Sequence, residues 1–388
     1  MSTQSNLFLA IFQQRQICKK GVVALDKKKM CSGAGNYFQG SGVLRDCGDE
    51  IRRKGYRKAC ILGGEKALDA ALPALSDSLR GDGVEFNVHS FSGFCTTEEI
   101  DAFTEQSRKE GADCIIGVGG GKAMDLAKAV AALRECAVFT VPTSAATCAA
   151  YAALSIVYNQ EGCQDHTRYH TDEVNGVFVD MDILSNAPAR LLAAGMADAM
   201  AKSCEYSSMR SALHYGDVDI SKYLGYSMAR SADEVLLTCG QQAYQDNCRG
   251  IVSQSLEDAV YVCIASTGII SNMGGFCGRT GSRFAIAHGF NEVLRGRYVN
   301  TKDWLHGEIV AVGILAQLHA NGMPLAYQER VRAFYRAIGV PVTLEEMGIR
   351  LDDAGFAKLQ EELVQHSHVS EENAPRVRDA VAFVRAQR

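Results

Sequence analysis

The stretch from Cys114 to Val130 reads CIIGVGGGKAMDLAKAV, and it restricts the architecture more than any other part of the chain. Its first part, Cys114 to Val118, is a short isoleucine-containing apolar run, the composition of a buried parallel strand. Gly119, Gly120 and Gly121 follow, then Lys122. From Ala123 to Leu133 small and apolar residues recur at helical spacing, with Asp125 and Lys128 as the polar members. A strand that enters a helix through bare backbone presents free N–H groups and the positive end of the helix dipole at one point. That geometry suits a phosphate or pyrophosphate. A tight turn alone would account for the glycines, but not for the order strand, glycines, lysine, helix. A Walker loop is excluded, because Ala123 stands where a magnesium-binding Ser or Thr is needed. The glycines are also contiguous, unlike the spaced dinucleotide fingerprint.

The flanking segments repeat the alternation. A short strand is expected around Tyr37, followed by a glycine turn and an amphipathic helix. Lys58 to Leu62 reads as a strand, then come Gly63, Gly64 and Glu65, and a helix begins near Lys66. Phe86 to His89 is another strand. A helix over 97–110 opens with Thr97 and carries Glu98 and Glu99 in its first turn. Ala137 to Val141 is a further strand, ended by Pro142 and Thr143. Strands and helices in this order predict a parallel sheet covered on both faces. Ligands in such folds sit at the carboxyl ends of the strands, where Gly119 to Lys122 and Thr143 fall. Leu154 to Tyr158 and Gly176 to Val179 read as a hairpin. After Asp182 the texture changes, and helical periodicity runs to Arg388. The division expected is a poorly structured extension over 1–33, an α/β domain over 34–185 and an all-α domain over 186–388. Met30, just before the first organised segment, is a candidate alternative start.

Composition narrows the class. The 388 residues are 47% hydrophobic and 22% charged, ordinary values for a water-soluble globular chain with two cores. A net charge of −5 gives no reason to expect nucleic acid or an anionic membrane as partner. The 14 cysteines are scattered without a CxxC pair, and Cys60, Cys114 and Cys263 lie in apolar runs. Free thiols and the lack of a signal core favour a reduced, cytoplasmic setting. The apolar LFLAIF at 7–12 is too short for a signal core or a span.

A second constellation lies in the helical half. Asp198 sits among small apolar residues with Lys202 one turn later on the same face. A buried aspartate needs a partner, and Lys202 could satisfy it. Two histidines extend the set: His288 in GSRFAIAHGFN and His306 in DWLHGEIVAVG. Asp, His and His form a three-ligand set with an open fourth position, the arrangement of a catalytic divalent metal. The remaining histidines, His89, His166, His170, His214, His319, His366 and His368, show no comparable setting, and His366 and His368 read as solvated.

With both halves in view, the chain resembles the glycerol dehydrogenase branch of the iron-containing alcohol dehydrogenase superfamily over roughly residues 35–385. The carriers are GNYFQGSGVL, GVGGGKAMDLAKAV, VPTSAATCAAYAALSIVY, NAPARLLAAGMADAMAK and LHGEIVAVGIL. The resemblance implies a Rossmann-like nucleotide-binding domain followed by an all-α domain, the dehydroquinate synthase-like fold. It implies that Gly120, Gly121 and Lys122 hold the pyrophosphate of NAD or NADP, and that Thr143, Ala146, Leu154 and Tyr158 line the nicotinamide side. Asp198, His288 and His306 match the family's metal ligands, for zinc ahead of iron. The histidine usual three residues beyond His288 is Asn291 here. The 18-residue spacing from His288 to His306 resembles the family's. The family is commonly multimeric, which implies a homo-oligomer.

In the GGEK turn, Glu65 would favour NAD by accepting from a ribose hydroxyl, whereas Lys66 would favour NADP by pairing with a 2′-phosphate. One departure bears on substrate. Glycerol dehydrogenases carry an aspartate after the PT dipeptide where this chain has Cys148, and a thiol cannot act as a charged acceptor for a vicinal hydroxyl. ATCAA and Lys202 are similar to the hydroxycarboxylate dehydrogenase subgroup. Losing a carboxylate and placing an ammonium beside the metal favours an anionic substrate. The expectation is therefore reversible hydride transfer on a 2-hydroxy acid, with Cys148 and Lys202 at the reacting centre. A glycerol or polyol dehydrogenase is the alternative. A dehydroquinate synthase-like carbon–oxygen lyase is the rival of another class, for which only Lys202 and Arg283 supply basic groups.

Overall fold

The structure is a computed structural model and describes residues 33–207, 209–274, 285–295, 297–299, 303–367 and 369–386. All of these belong to one compact unit, Cys31–Arg388. Apart from Gly33, the expected N-terminal extension lies outside the described residues, as do Arg283 and His368.

The first half alternates as the sequence predicts. In chain order come β1 (Tyr37–Gly40), a 3-10 turn leading into α1 (Cys47–Arg53), β2 (Lys58–Gly63), α2 (Glu65–Gly81), β3 (Glu85–Ser90), α3 (Thr97–Lys109), β4 (Cys114–Gly119), α4 (Gly121–Arg134), β5 (Ala137–Pro142), β6 (Leu154–Tyr158), β7 (Gln164–Tyr169) and β8 (Gly176–Asp180). Six strands pair in parallel in the order β1-β8-β5-β4-β2-β3. Every residue of β2 from Ala59 on, and all of β4, β5 and β8, is buried, so the central strands are apolar on both faces. Burial of a side chain such as Ile115 or Ile116 contributes about 1.5–3 kcal/mol. α3 is capped by Thr96 rather than Thr97: the Thr96 hydroxyl accepts from the Glu99 amide at 3.3 Å.

The hairpin expected from Leu154–Tyr158 and Gly176–Val179 does not form. β6 pairs antiparallel with β7, and β8 inserts into the parallel sheet between β1 and β5. The reason is burial. β8 is apolar on both faces and can only be an inner strand, whereas β6 buries alternate residues and suits a half-covered ribbon. Its partner β7, QDHTRY, has no apolar alternation to announce it.

Helices then follow: α5 (Met181–Leu184), α6 (Ala189–Tyr206), α7 (Ile220–Cys248), α8 (Gln254–Tyr261), a π-helical turn over Val262–Ser266, α9 (Thr267–Met273), α10 (Ile286–Leu294), α11 (His306–Ala320), α12 (Leu325–Ala337), α13 (Asp353–His366) and α14 (Ala374–Ala386). α11 is buried on all sides, as its near-unbroken apolar sequence requires, and packs against α6, α10 and α14. No described helix is long and apolar enough to cross a membrane.

Candidate active site

The glycine turn forms as the sequence predicts. Gly120 caps α4, whose first-turn amides have no acceptor within the helix. Gly119 holds φ at +143°, a conformation that favours glycine. A Cβ on Gly121 would come within 3.2 Å of Thr147 Oγ1, so glycine keeps this end of the helix open. The Thr143 amide donates to the Gly119 carbonyl at 3.0 Å and ties the end of β5 to the turn. Glu65 opens α2 at the end of β2, the neighbour of β4, and so lies along the same edge of the sheet. The residues present thus fit a pyrophosphate between a bare helix end and the adjoining strand ends.

Lys122 is exposed, with its ammonium 3.8 Å from the centroid of the Phe94 ring. Burial and the nearby Arg295 lower its pKa. Among the described residues neither Lys122 nor Arg295 pairs with a carboxylate, so two cations from opposite halves of the chain stand uncompensated beside the turn. Tyr158 packs its ring against Phe94 at 5.4 Å, and burial pushes its pKa up to about 12. Leu154 is held through its backbone: its carbonyl accepts from Lys128, which also donates to the Ala152 carbonyl at 2.9 Å and pairs with Asp125 at 3.0 Å. The polar residues of α4 therefore pin β6 to the nucleotide-side helix.

Three close backbone contacts bring the second constellation together. A Cβ on Gly195 of α6 would lie 1.8 Å from the Ala145 carbonyl oxygen, in the loop that carries Ala146 and Cys148. A Cβ on Gly307 of α11 would lie 1.8 Å from the Ala194 carbonyl oxygen, and one on Gly313 would lie 2.5 Å from the Ala287 carbonyl oxygen of α10. Each contact is adjacent, or nearly so, to a proposed ligand: Asp198, His306 and His288. Arg190 of α6 reinforces it, giving Glu308 of α11 two bonds of 2.6 and 2.7 Å.

The outcome is a convergent triad. Asp198 Oδ1 lies 3.4 Å from His288 Nε2 and 3.3 Å from His306 Nε2. Asp198 Oδ1 is buried and makes no hydrogen bond, so a deeply placed acceptor faces two ring nitrogens with an unfilled need between them. Three ligand atoms of this type within 4.8 Å of one another fit a single divalent ion. Burial would raise the Asp198 pKa, but His288, His306 and Lys202 hold it well below the ordinary carboxylate value.

Glu205, one helical face along from Asp198 and Lys202, was missed by the sequence reading. Its Oε1 accepts from the His288 amide at 2.9 Å and its Oε2 lies 2.7 Å from His288 Nδ1. A carboxylate on Nδ1 keeps the proton there and leaves Nε2 to face Asp198. The spacing of Asp198, Lys202 and Glu205 at i, i+4 and i+7 was the available signal. Burial works against the Lys202 ammonium, yet Asp198, Cys148 and Glu205 keep its pKa above the ordinary value. Cys148 Sγ is 3.8 Å from Ser271 Oγ, and burial raises its pKa, so the thiol is neutral. Asn291, where the resemblance would have a histidine, is buried and accepts from Arg295 at 3.1 Å.

Residues 34–182 match the family model described as iron-containing alcohol dehydrogenase. Over 316 residues the chain is 32% identical to a glycerol dehydrogenase of Thermotoga maritima, covering 81% of this chain and 84% of the relative. The chain belongs to the iron-containing alcohol dehydrogenase family. It is an enzyme of the alcohol dehydrogenase type. A further relative in the family is hydroxycarboxylate dehydrogenase A of Escherichia coli, 30% identical over 321 residues, or 83% of this chain and 86% of that one. Among solved structures, glycerol dehydrogenase from Schizosaccharomyces pombe superposes with a TM-score of 0.78 at 25% identity, covering 92% of this chain and 91% of that one.

One expectation about the histidines changes and one holds. His366 is exposed, as expected, and also bonds Glu292 at the surface. His89 does have a setting comparable to that of the triad, beside Cys60 and Glu110.

Proposed function

We propose that this member of the family is a metal-dependent, NAD(P)-linked polyol dehydrogenase acting on a small vicinal diol of the glycerol class. The observation that carries the reading is the convergence of Asp198 Oδ1 with the Nε2 atoms of His288 and His306, in a chain whose T. maritima and S. pombe counterparts are named glycerol dehydrogenase. The preference for a 2-hydroxy acid gives way here. Lys202 already has Asp198 and Glu205 close by, so its charge does not call for a substrate carboxylate. A neutral Cys148 beside Ser271 suits an uncharged hydroxyl.

On this reading residues 34–185 form the nucleotide half and 186–388 the metal half. Asp198, His288 and His306 would hold one divalent ion, zinc ahead of iron. When bound, that ion supplies Lewis acidity at the substrate oxygen. Gly120, Gly121 and Lys122 would hold the pyrophosphate of the cofactor, and Thr143, Ala146, Leu154 and Tyr158 would flank the nicotinamide. Glu65 at the start of α2 favours NAD over NADP by accepting from a ribose hydroxyl. Glu205 keeps the proton on His288 Nδ1. Lys202 stays protonated at ordinary pH, so it stabilises developing negative charge rather than taking a proton.

A second reading, a 2-hydroxy acid as substrate, is favoured by the hydroxycarboxylate dehydrogenase relative. A screen of glycerol and 1,2-diols against 2-hydroxy acids, with NAD and NADP in turn, decides between them through the absorbance of the reduced nicotinamide. Turnover confined to 2-hydroxy acids would replace the polyol reading. No net change in nicotinamide absorbance with any alcohol would remove both in favour of a carbon–oxygen lyase.

A further inference from the structure

A second cluster of metal-ligating side chains lies on the α3-covered face of the sheet. β2 and edge strand β3 pair with Cys60 opposite Asn87 and Leu62 opposite His89, so Cys60 and His89 point to the same face one diagonal apart. α3 crosses that face and ends at Glu110, its C-cap residue. Cys60, His89 and Glu110 come together with their ligand atoms within 4.8 Å of one another.

Three features of this cluster suit a bound cation. His89 Nε2 is buried and faces Glu110 Oε1 at 2.9 Å as an ion pair, without the alignment of a hydrogen bond. Glu110 Oε1 is taken by Gln106 at 2.6 Å and Glu110 Oε2 is buried without a closed hydrogen bond, while, against the effect of burial, Gln106, His89 and Asn87 hold the carboxyl below its ordinary value. Glu110 also places a carboxylate at the C-terminus of a helix, where the macrodipole favours positive charge instead. Asp198 shows the same combination of a buried acceptor with no hydrogen bond and ring nitrogens held close to it.

We propose that Cys60, His89 and Glu110 form a second binding site, for a soft divalent cation of the zinc class, that fastens edge strand β3 to β2 and to the end of α3. The donors are one thiolate sulfur, one imidazole nitrogen and one carboxylate oxygen, a set suited to tetrahedral zinc or cobalt with a fourth position open to water. Burial pushes the Cys60 thiol up to about 12, so the ion must displace its proton, and each ion bound releases that proton to solvent. The site shares no residue with the Asp198 triad and stands or falls independently of the proposed dehydrogenase activity.

The test uses the full chain, stripped with a chelator and titrated with Co2+. The Asp198 triad contains no sulfur, so a thiolate-to-cobalt charge-transfer band in the near ultraviolet reports a cysteine-containing site alone. The expected result is such a band in the wild type that is lost in Cys60→Ser and in His89→Ala and weakened in Glu110→Gln, with the sulfur-free cobalt remaining. His89 is only partly buried, so His89→Ala keeps the test sound if Cys60→Ser fails to fold. Absence of the band in the wild type, or its persistence in His89→Ala, overturns the proposal and leaves an ordinary His89–Glu110 ion pair.

Discussion

Gly307 and Ala194 meet without room for a side chain: a Cβ on Gly307 would lie 1.8 Å from the Ala194 carbonyl oxygen. This contact sets the distance between α11 and α6, and with it the separation of His306 and Asp198. Gly307→Ala must force the two helices apart, and overpacking of this kind costs about 3 kcal/mol. Gly81→Ala is the control, because its Cβ would meet nothing within 4 Å at the end of α2. That change is expected to be neutral or to stabilise by up to about 1 kcal/mol. Urea unfolding midpoints compare the two. A Gly307→Ala protein as stable as the wild type would show that the helices do not depend on this contact.

Asp125 and Lys128 form a buried pair at 3.0 Å, and Lys128 also holds the Ala152 and Leu154 carbonyls. Lys128→Met leaves the Asp125 carboxylate buried without its cation and frees both carbonyls. The expected loss is about 3–5 kcal/mol. Asp125→Asn in the same chain removes the stranded charge and is expected to recover part of that loss. A double-mutant cycle of chemical denaturation measures it, and simple additivity of the two changes would contradict the pairing.

The parts legible in the sequence are those where one residue type does one job. Strands such as Cys114–Gly119 are apolar on both faces, and the glycines that follow leave backbone bare, so strand, turn and helix could be read in order. The triad was legible because Asp198, His288 and His306 stand out from apolar helices. β7 was not, because a polar ribbon strand shows no pattern until its partner is known. The position of β8 depends on which neighbours it gains, a property of topology rather than of its five residues. Glu205 was hidden among helical polar residues, although its i+7 relation to Asp198 put both on one face. Cys60, His89 and Glu110 are brought together only by strand register and the length of α3.

His170 predicts a dependence of stability on acid. It is buried, with Nε2 2.8 Å from Ser155 Oγ; burial and the nearby Lys128 and Arg168 lower its pKa to about 3. The unfolded chain takes up this proton near the ordinary histidine value of about 6.5, the folded chain only near 3. Between those values the unfolded state binds more protons, so stability falls as pH falls through the window and is fully present above it. The contribution is at most about 1.4 kcal/mol per pH unit. His170→Asn removes this term. Its stability is expected to fall less steeply than that of the wild type between pH 6 and 4, whatever its value at neutral pH. Parallel acid limbs for the two proteins would rule the assignment out.

Glu205 and His288 give the sharpest test of how the metal site is prepared. The carboxylate is ionised, because His288 and Lys202 together outweigh the effect of burial on its pKa. It takes the His288 amide on one oxygen and faces Nδ1 at 2.7 Å with the other, an arrangement that holds a proton on Nδ1 and makes Nε2, on the Asp198 side, the nitrogen that gives up its proton to a cation. Glu205→Gln keeps the volume and the bond from the amide, but it places an NH2 group opposite Nδ1. That geometry disfavours the Nδ1–H form of the imidazole that a cation bound at Nε2 requires. Replacing a group that orients a ligand in this way lowers metal affinity roughly 10–100-fold. Competition titrations of Zn2+ against a chromophoric chelator measure the change directly, without reference to turnover. Thermal melting in the presence of chelator is expected to change far less, since the packing around residue 205 is retained. Unchanged zinc affinity in Glu205→Gln would mean that the carboxylate only fills a buried space beside His288.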